Sequence, residues 1–148
     1  MDDTNKQRIL ELLDVVDNMT LATLREDGHP QATTVSYVNE GLTVYFGTAH
    51  DSQKAVNISR DPRVSLTVNR PYRFWKDILG LSAGGLARAV SDAAEYRRAS
   101  SLLFERFPEV AVYRGLESEE TALIRIDLQT ISLLDYRLGI GHASRFEL

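Results

Sequence analysis

The chain has 148 residues, 43% of them apolar and 26% charged, with 17 Lys and Arg against 21 Asp and Glu for a formal net charge of −4. That is an ordinary globular mixture, long enough for one domain around one core. The acid excess argues against nucleic acid as a partner, and the lack of cysteine excludes disulfides, iron–sulfur clusters and thiol chemistry. The short cluster Arg70, Arg73 and Lys76 reads as a solvated loop. The start, Met1-Asp2-Asp3-Thr4, has no signal-peptide layout, and no apolar run reaches bilayer length. The expectation is a soluble, cytoplasmic protein without a membrane partner. The Asn-x-Ser/Thr triplets at Asn18 and Asn57 then carry no meaning as glycan sites.

In chain order, residues 5–18 read as a helix, with Ile9, Leu12, Leu13 and Val16 at helical spacing. Residues 20–24 read as a strand, followed by an Asp27-Gly28 turn and a second strand from Gln31 to Val38. Asn39-Glu40-Gly41 turns the chain, and Leu42 to Gly47 completes a three-stranded meander. Asp51 is the expected cap of a helix running to Arg60, which Asp61-Pro62 ends. Val64–Val68 alternates as a strand. Residues 71–80, with Trp75, read as a loop containing a short helical turn. A longer strand over 81–90 tolerates Gly84 and Gly85 as a bulge or bend. Ser91 or Asp92 caps a helix to Phe107. Residues 122–134 alternate as the last strand, and 135–148 read as polar and irregular. About six strands and three helices result, with tight turns that favour antiparallel pairing.

Most chemical signatures fail on inspection. Gly80 to Gly85 has the outer glycines of a phosphate loop, but Leu86-Ala87 stand where Lys-Ser/Thr is required. His29, His50 and His142 have no metal-ligand spacing, so no metal is expected. No serine sits in a nucleophile elbow. The informative segment is Thr48 to Lys54. With Asp51 as cap, a capping box would place Glu or Gln at Lys54. A cation there opposes the positive helix end by about 0.3–1 kcal/mol. Two readings stay open: a phosphate cradle completed by Thr48 and Ser52, or a solvated lysine in a short helix. Trp75 is equally open, as packing or as the wall of a pocket or subunit interface.

Taken together, Asp27-Gly28-His29-Pro30, Gln31 to Tyr37, Tyr45-Phe46-Gly47-Thr48, Ser52-Gln53-Lys54 and Asp61-Pro62-Arg63-Val64 resemble the pyridoxamine 5'-phosphate oxidase-like family of FMN-binding split barrels. The stretch from Trp75 to Ala87 and the ending Leu134 to His142 are similar to one bacterial branch. The resemblance covers nearly the whole chain. It implies a mainly β fold: an antiparallel split barrel with an N-terminal helix, a short helix after the third strand and a longer one before the last. It implies a homodimer with FMN at the interface. Matched residue by residue, Ala32, Thr33, Thr34, Val35, Ser36 and Tyr37 would line the flavin, with Gly47 and Thr48 continuing that wall. Ser52, Gln53 and Lys54 would hold the phosphate, and Trp75 would wall the pocket. Gln53 stands where the oxidases have arginine, and Tyr136 to Leu148 does not match their substrate arginine and histidine. The implied activity is a flavin-dependent oxidoreductase on an unidentified small molecule. The alternatives are a non-catalytic flavin or haem binder and a deazaflavin-dependent reductase.

Overall fold

The computed structural model describes residues 1–110 and 120–148. Helix α1 (Asp3–Val15) starts at Asp2, whose carboxylate accepts the Asn5 N–H at 2.8 Å, and buries Ile9, Leu12 and Leu13. The strands that follow are β1 (Asn18–Leu24), β2 (Pro30–Ser36), β3 (Val38–Glu40) and β4 (Thr43–Ala49). Then come α2 (Gln53–Arg60), β5 (Arg63–Asn69), a 3-10 turn (Trp75–Asp77), β6 (Leu79–Ala89) and α3 (Ala93–Arg106). The chain ends with β7 (Thr121–Asp135), a second 3-10 turn (Tyr136–Leu138) and β8 (Ala143–Glu147).

All pairing is antiparallel, in the order β2-β1-β5-β6-β7-β4-β3, with β8 also on β7. The sheet curls into a half-barrel whose interior holds Met19, Leu21, Val44, Phe46, Leu66, Leu81 and Ile126. The expected bulge is present. The β6–β7 register shifts at Gly84/Gly85, and a Cβ on Gly85 would lie 2.5 Å from the Asp127 carbonyl oxygen.

Three expectations need correction. The second strand does not run on to Val38. It breaks at Tyr37, whose ring is fully buried and whose hydroxyl donates to the Leu13 carbonyl at 2.8 Å. Anchoring that ring turns the chain, so β2 pairs with β1 while β3 pairs with β4. The meander is therefore split: β2 and β4 meet across a seam without pairing. The polar tail is not wholly irregular either. β7 pairs with β4 over Thr121–Asp127, and β8 takes the same edge over Thr130–Leu134. A polar segment becomes a strand there because it completes a ladder already begun.

One face of the sheet carries small side chains. Thr34, Thr20, Thr67, Ser82, Ser132 and Arg145 stand in register across six strands. Ala32, Ala22, Ser65, Gly84, Thr130 and Glu147 form the neighbouring row. All twelve are exposed or half-buried. A groove of about 550 Å³ runs over this face between Ser65, Ser82, Thr130, Ser132 and Arg145.

Candidate functional site

Strand β4 ends at Ala49, and the turn closes by Ser52 N–H donating to the Ala49 carbonyl at 3.1 Å. Ser52, not Asp51, is the N-cap of α2: its hydroxyl oxygen accepts the Ala55 N–H at 3.2 Å. The reason is local, since the turn leaves Asp51 exposed one residue short of the helix. This moves Lys54 to the second helical position. The N–H groups of Gln53 and Lys54 have no intrahelical acceptor there, and the first turn contains no acidic residue.

The Ser52 hydroxyl lies 2.9 Å from that of Thr48. Lys54 is half-buried and makes no hydrogen bond or ion pair among the described residues. Two hydroxyls, two N–H groups without an intrahelical acceptor and a lysine in the same helical turn therefore lie at the end of β4. That donor set fits a phosphate dianion, which helix ends and cations stabilise together.

The helix carrying this cradle is fixed from below. Asn57, 1% exposed, donates from Nδ2 to Thr23 Oγ1 at 3.0 Å and to Gln31 Oε1 at 3.2 Å. Its Oδ1 accepts from Gln53 Nε2 at 2.8 Å. Gln53 thus points its amide back into the network rather than toward the cradle. Sequence reasoning left Asn57 and Gln31 out of the site. The signal was an Asn one turn after Gln53 among the apolar positions Ala55 and Ile58.

The other expected residues divide by strand alternation. Ala32, Thr34 and Ser36 lie on the open sheet face, exposed, whereas Thr33 and Val35 are half-buried and turned inward, Val35 against the core. Gly47 and Thr48 stand half-buried on β4, across the seam from β2. The seam and the cradle together bring Thr33, Val35, Gly47, Thr48, Ser52 and Lys54 to one end of the barrel. Along the outer edge of β2, backbone groups are left without a strand partner, as at any sheet edge.

Tyr37 is not on that surface. Burial pushes its phenol well above the ordinary range, and it serves the core. Trp75 is not there either. Asn57 of α2 bonds to Thr23, beside the Ala22–Ser65 pair, which puts α2 at the Arg63 end of β5. The turn bearing Trp75 follows the Asn69 end, tied by Arg70 N–H to the Leu79 carbonyl at 3.0 Å. Seven residues of strand, about 20 Å, separate the two within one protomer. Trp75 is 68% exposed, with Tyr72 and Phe74 exposed beside it.

Similarity to known proteins agrees with this architecture. General stress protein 26 of Bacillus subtilis is 24% identical over 130 residues, 88% of each chain. A heme binding protein from Mycobacterium smegmatis superposes with a TM-score of 0.85 at 17% identity, over 99% of this chain and 59% of that one. This chain therefore spans little more than half of that protein, and the likeness is one of fold. A conserved hypothetical protein from Mycobacterium tuberculosis superposes with a TM-score of 0.78 at 28% identity, covering 97% of this chain and 91% of that one. Residues 6–135 match the pyridoxamine 5'-phosphate oxidase family, and with the split barrel and its seam in place the chain belongs to that family.

Proposed function

We propose that the protein is a cytoplasmic FMN-binding homodimer acting as an oxidoreductase on a small molecule. The observation that carries this reading is the unpaired Lys54 in the first turn of α2, beside the Thr48–Ser52 hydroxyl pair. When bound, the isoalloxazine supplies the hydride or electron chemistry. The chain's own residues bind and orient. Lys54, Ser52, Thr48 and the first N–H groups of α2 hold the phosphate, and Asn57 fixes the helix that presents them. Thr33, Val35 and Gly47 wall the seam. The small-residue face, with Ala32, Thr34 and Ser36 at its margin, packs against a second copy and excludes water from the ring. Trp75 reaches a cofactor only from that second copy. We assign no general acid or base.

The absorbance spectrum of the protein as purified, followed by FMN titration, tests the cofactor. A flavin spectrum, or tight uptake of FMN, is expected; colourless protein that takes up none overturns it. Anaerobic mixing with NADH and NADPH tests turnover by bleaching of the flavin. The fold shared with the M. smegmatis heme binding protein favours haem as the second reading, and a Soret band on purification or haem titration would select it.

A further inference from the structure

Far from the cradle, three arginines from three elements share one cleft. Arg8 of α1, Arg70 after β5 and Arg137 of the last 3-10 turn line a pocket of about 190 Å³, with Leu12 and Leu79 as its buried floor. Glu11 and Val15 complete its rim. Two of the guanidinium groups are fixed by the fold. Arg137 donates from Nε and Nη2 to the two oxygens of Asp135, each at 2.7 Å. The Asp135 side chain is only 3% exposed, so this pair holds the arginine in one orientation. Arg70 donates from Nη2 to the Asp77 carbonyl at 3.2 Å, tying it to the Trp75 turn.

The Arg8 side chain makes no hydrogen bond or ion pair among the described residues, though its charge helps hold the Asp135 carboxyl below the ordinary value. Glu11 accepts from Gln7 at 3.0 Å and is paired with none of the arginines. Three guanidinium charges therefore meet two carboxylates: Asp135, hydrogen-bonded to Arg137 and also acted on by the charge of Arg8, and Glu11 on the rim. Gathering like charges around a partly enclosed space is unfavourable unless an anion completes it. The remaining N–H groups of Arg137, Arg70 and Arg8 form forks suited to two-oxygen recognition.

We propose that this cleft binds the phosphate or carboxylate group of a small molecule, as a second anion site distinct from the Lys54 cradle. The wall is preorganised by Asp135 and by the Asp77 carbonyl, while Arg8, held by no hydrogen bond of its side chain, closes over the ligand. The apolar floor of Leu12 and Leu79 admits a ligand with a carbon skeleton. Within one protomer the cleft lies at the opposite end of β5 from the Lys54 cradle, and the test below reads anion binding without any cofactor.

The test uses the full chain carrying Lys54→Ala, so that the cradle does not contribute. Pyrophosphate and citrate are titrated separately by calorimetry at fixed ionic strength, which distinguishes a phosphate from a carboxylate source. Saturable binding of one equivalent per protomer is expected for at least one of them. Adding Arg8→Gln or Arg70→Gln should weaken it about tenfold or more, while Arg63→Gln, outside the cleft, should leave it unchanged. Arg137 is left intact, since its removal would strand the buried Asp135. No saturable binding of either anion, or binding by the Arg8→Gln protein as tight as its parent, overturns the proposal. FMN does not enter the readout, so failure of the cofactor assignment would leave it standing.

Discussion

At the scale of single residues, position decides what a charge does. Lys54 sits where a helix end is electropositive, and no carboxylate in the first turn compensates it. A phosphate there gains a charge-assisted hydrogen bond of roughly 1.5–3 kcal/mol, so Lys54→Ala should weaken FMN binding about ten- to a hundredfold. Riboflavin, which lacks the phosphate, should bind wild type and mutant equally, and the apo-protein should melt at the same temperature. Equal FMN affinities by fluorescence titration would return Lys54 to the status of a solvated lysine. Asp135 shows the opposite arrangement. The hydrogen bonds from Arg137 hold its carboxyl below the ordinary value of 3.8. A carboxylate ionised more readily when folded adds stability in full above that value and loses it as the pH falls below. Arg137 is 43% exposed, so the contribution is toward the lower end for a charged hydrogen bond, about 1.5 kcal/mol. Urea unfolding of wild type and Asp135→Asn should differ by about that much at pH 7, with the gap narrowing below about pH 4. A gap that is constant with pH would place the effect in packing.

At the scale of elements, α1 ends without a glycine, and its last carbonyls are satisfied from elsewhere. Arg106, in the last turn of α3, donates from Nη2 to the Asp14 and Val16 carbonyls at 3.0 and 2.8 Å, and its guanidinium lies 5.2 Å from the centre of the Tyr37 ring. Tyr37 adds its own bond to Leu13. One guanidinium thus joins α1, α3 and the β2–β3 break. Arg106→Ala should cost about 1–3 kcal/mol, the penalty for carbonyls left unpaired. Hydrogen exchange should quicken in α1 while β5 and β6 stay protected. Arg106→Lys should recover little, because one ammonium does not span that set of carbonyls. Unchanged exchange in α1 would show that water satisfies these carbonyls as well as the arginine does.

The same elements show what the sequence made legible. Strands β1 and β5 were readable because Met19, Leu21, Val64, Leu66 and Val68 alternate with exposed residues. Local rules narrow the cap of α3 to Ser91 or Asp92 and mark Gly84/Gly85 as a bulge or bend; the structure has the cap at Asp92 and a register shift at the glycines. The break at Tyr37 was not readable, since Val35, Tyr37 and Val38 read as one strand, and only the partner at Leu13 reveals the turn. β8 was hidden because Ala143–Glu147 has no apolar period of its own beyond Phe146, and its pairing is a property of β7. The cap shifted from Asp51 to Ser52 because both are good caps and only the Ala49 turn chooses between them. In the candidate site, helix electrostatics singles out Lys54 but leaves a cradle and a solvated lysine both open, whereas the role of Asn57 in fixing α2 shows only in its contacts with Thr23 and Gln31. Trp75 and Lys54, which the resemblance assigns to one pocket, stand at opposite ends of β5 within one protomer.

At the scale of the whole molecule, that separation and the open sheet face point the same way. Two registered rows of threonine, serine, alanine and glycine span six strands, with charges only at Arg145 and Glu147 on β8. A solvated face of this breadth usually carries lysine and glutamate, whereas interface centres are depleted of charge. Small side chains let two sheets approach closely, and in the proposed dimer the groove beside Ser82 and Ser132 would lie within the contact. A twofold axis in the plane of this face and across the strands would lay the Asn69 end of one protomer over the Arg63 end of the other. Trp75 of the second copy would then reach the seam that ends at Lys54. Thr67, half-buried between Thr20 and Ser82 in the row, is the position to probe. Thr67→Arg puts a long cation on each half of the contact, facing its own symmetry mate or small apolar neighbours. Burying it without a partner costs several kcal/mol, enough to dissociate a dimer of ordinary affinity. The barrel core lies on the other face, so the fold should remain. Light scattering should give a dimer for wild type and for Thr67→Val, and a monomer for Thr67→Arg. FMN affinity should fall with the loss of the second copy even though Lys54 is intact. A Thr67→Arg protein that stays dimeric and holds FMN as tightly as wild type would move the subunit contact off this face and leave Trp75 without a cofactor to reach.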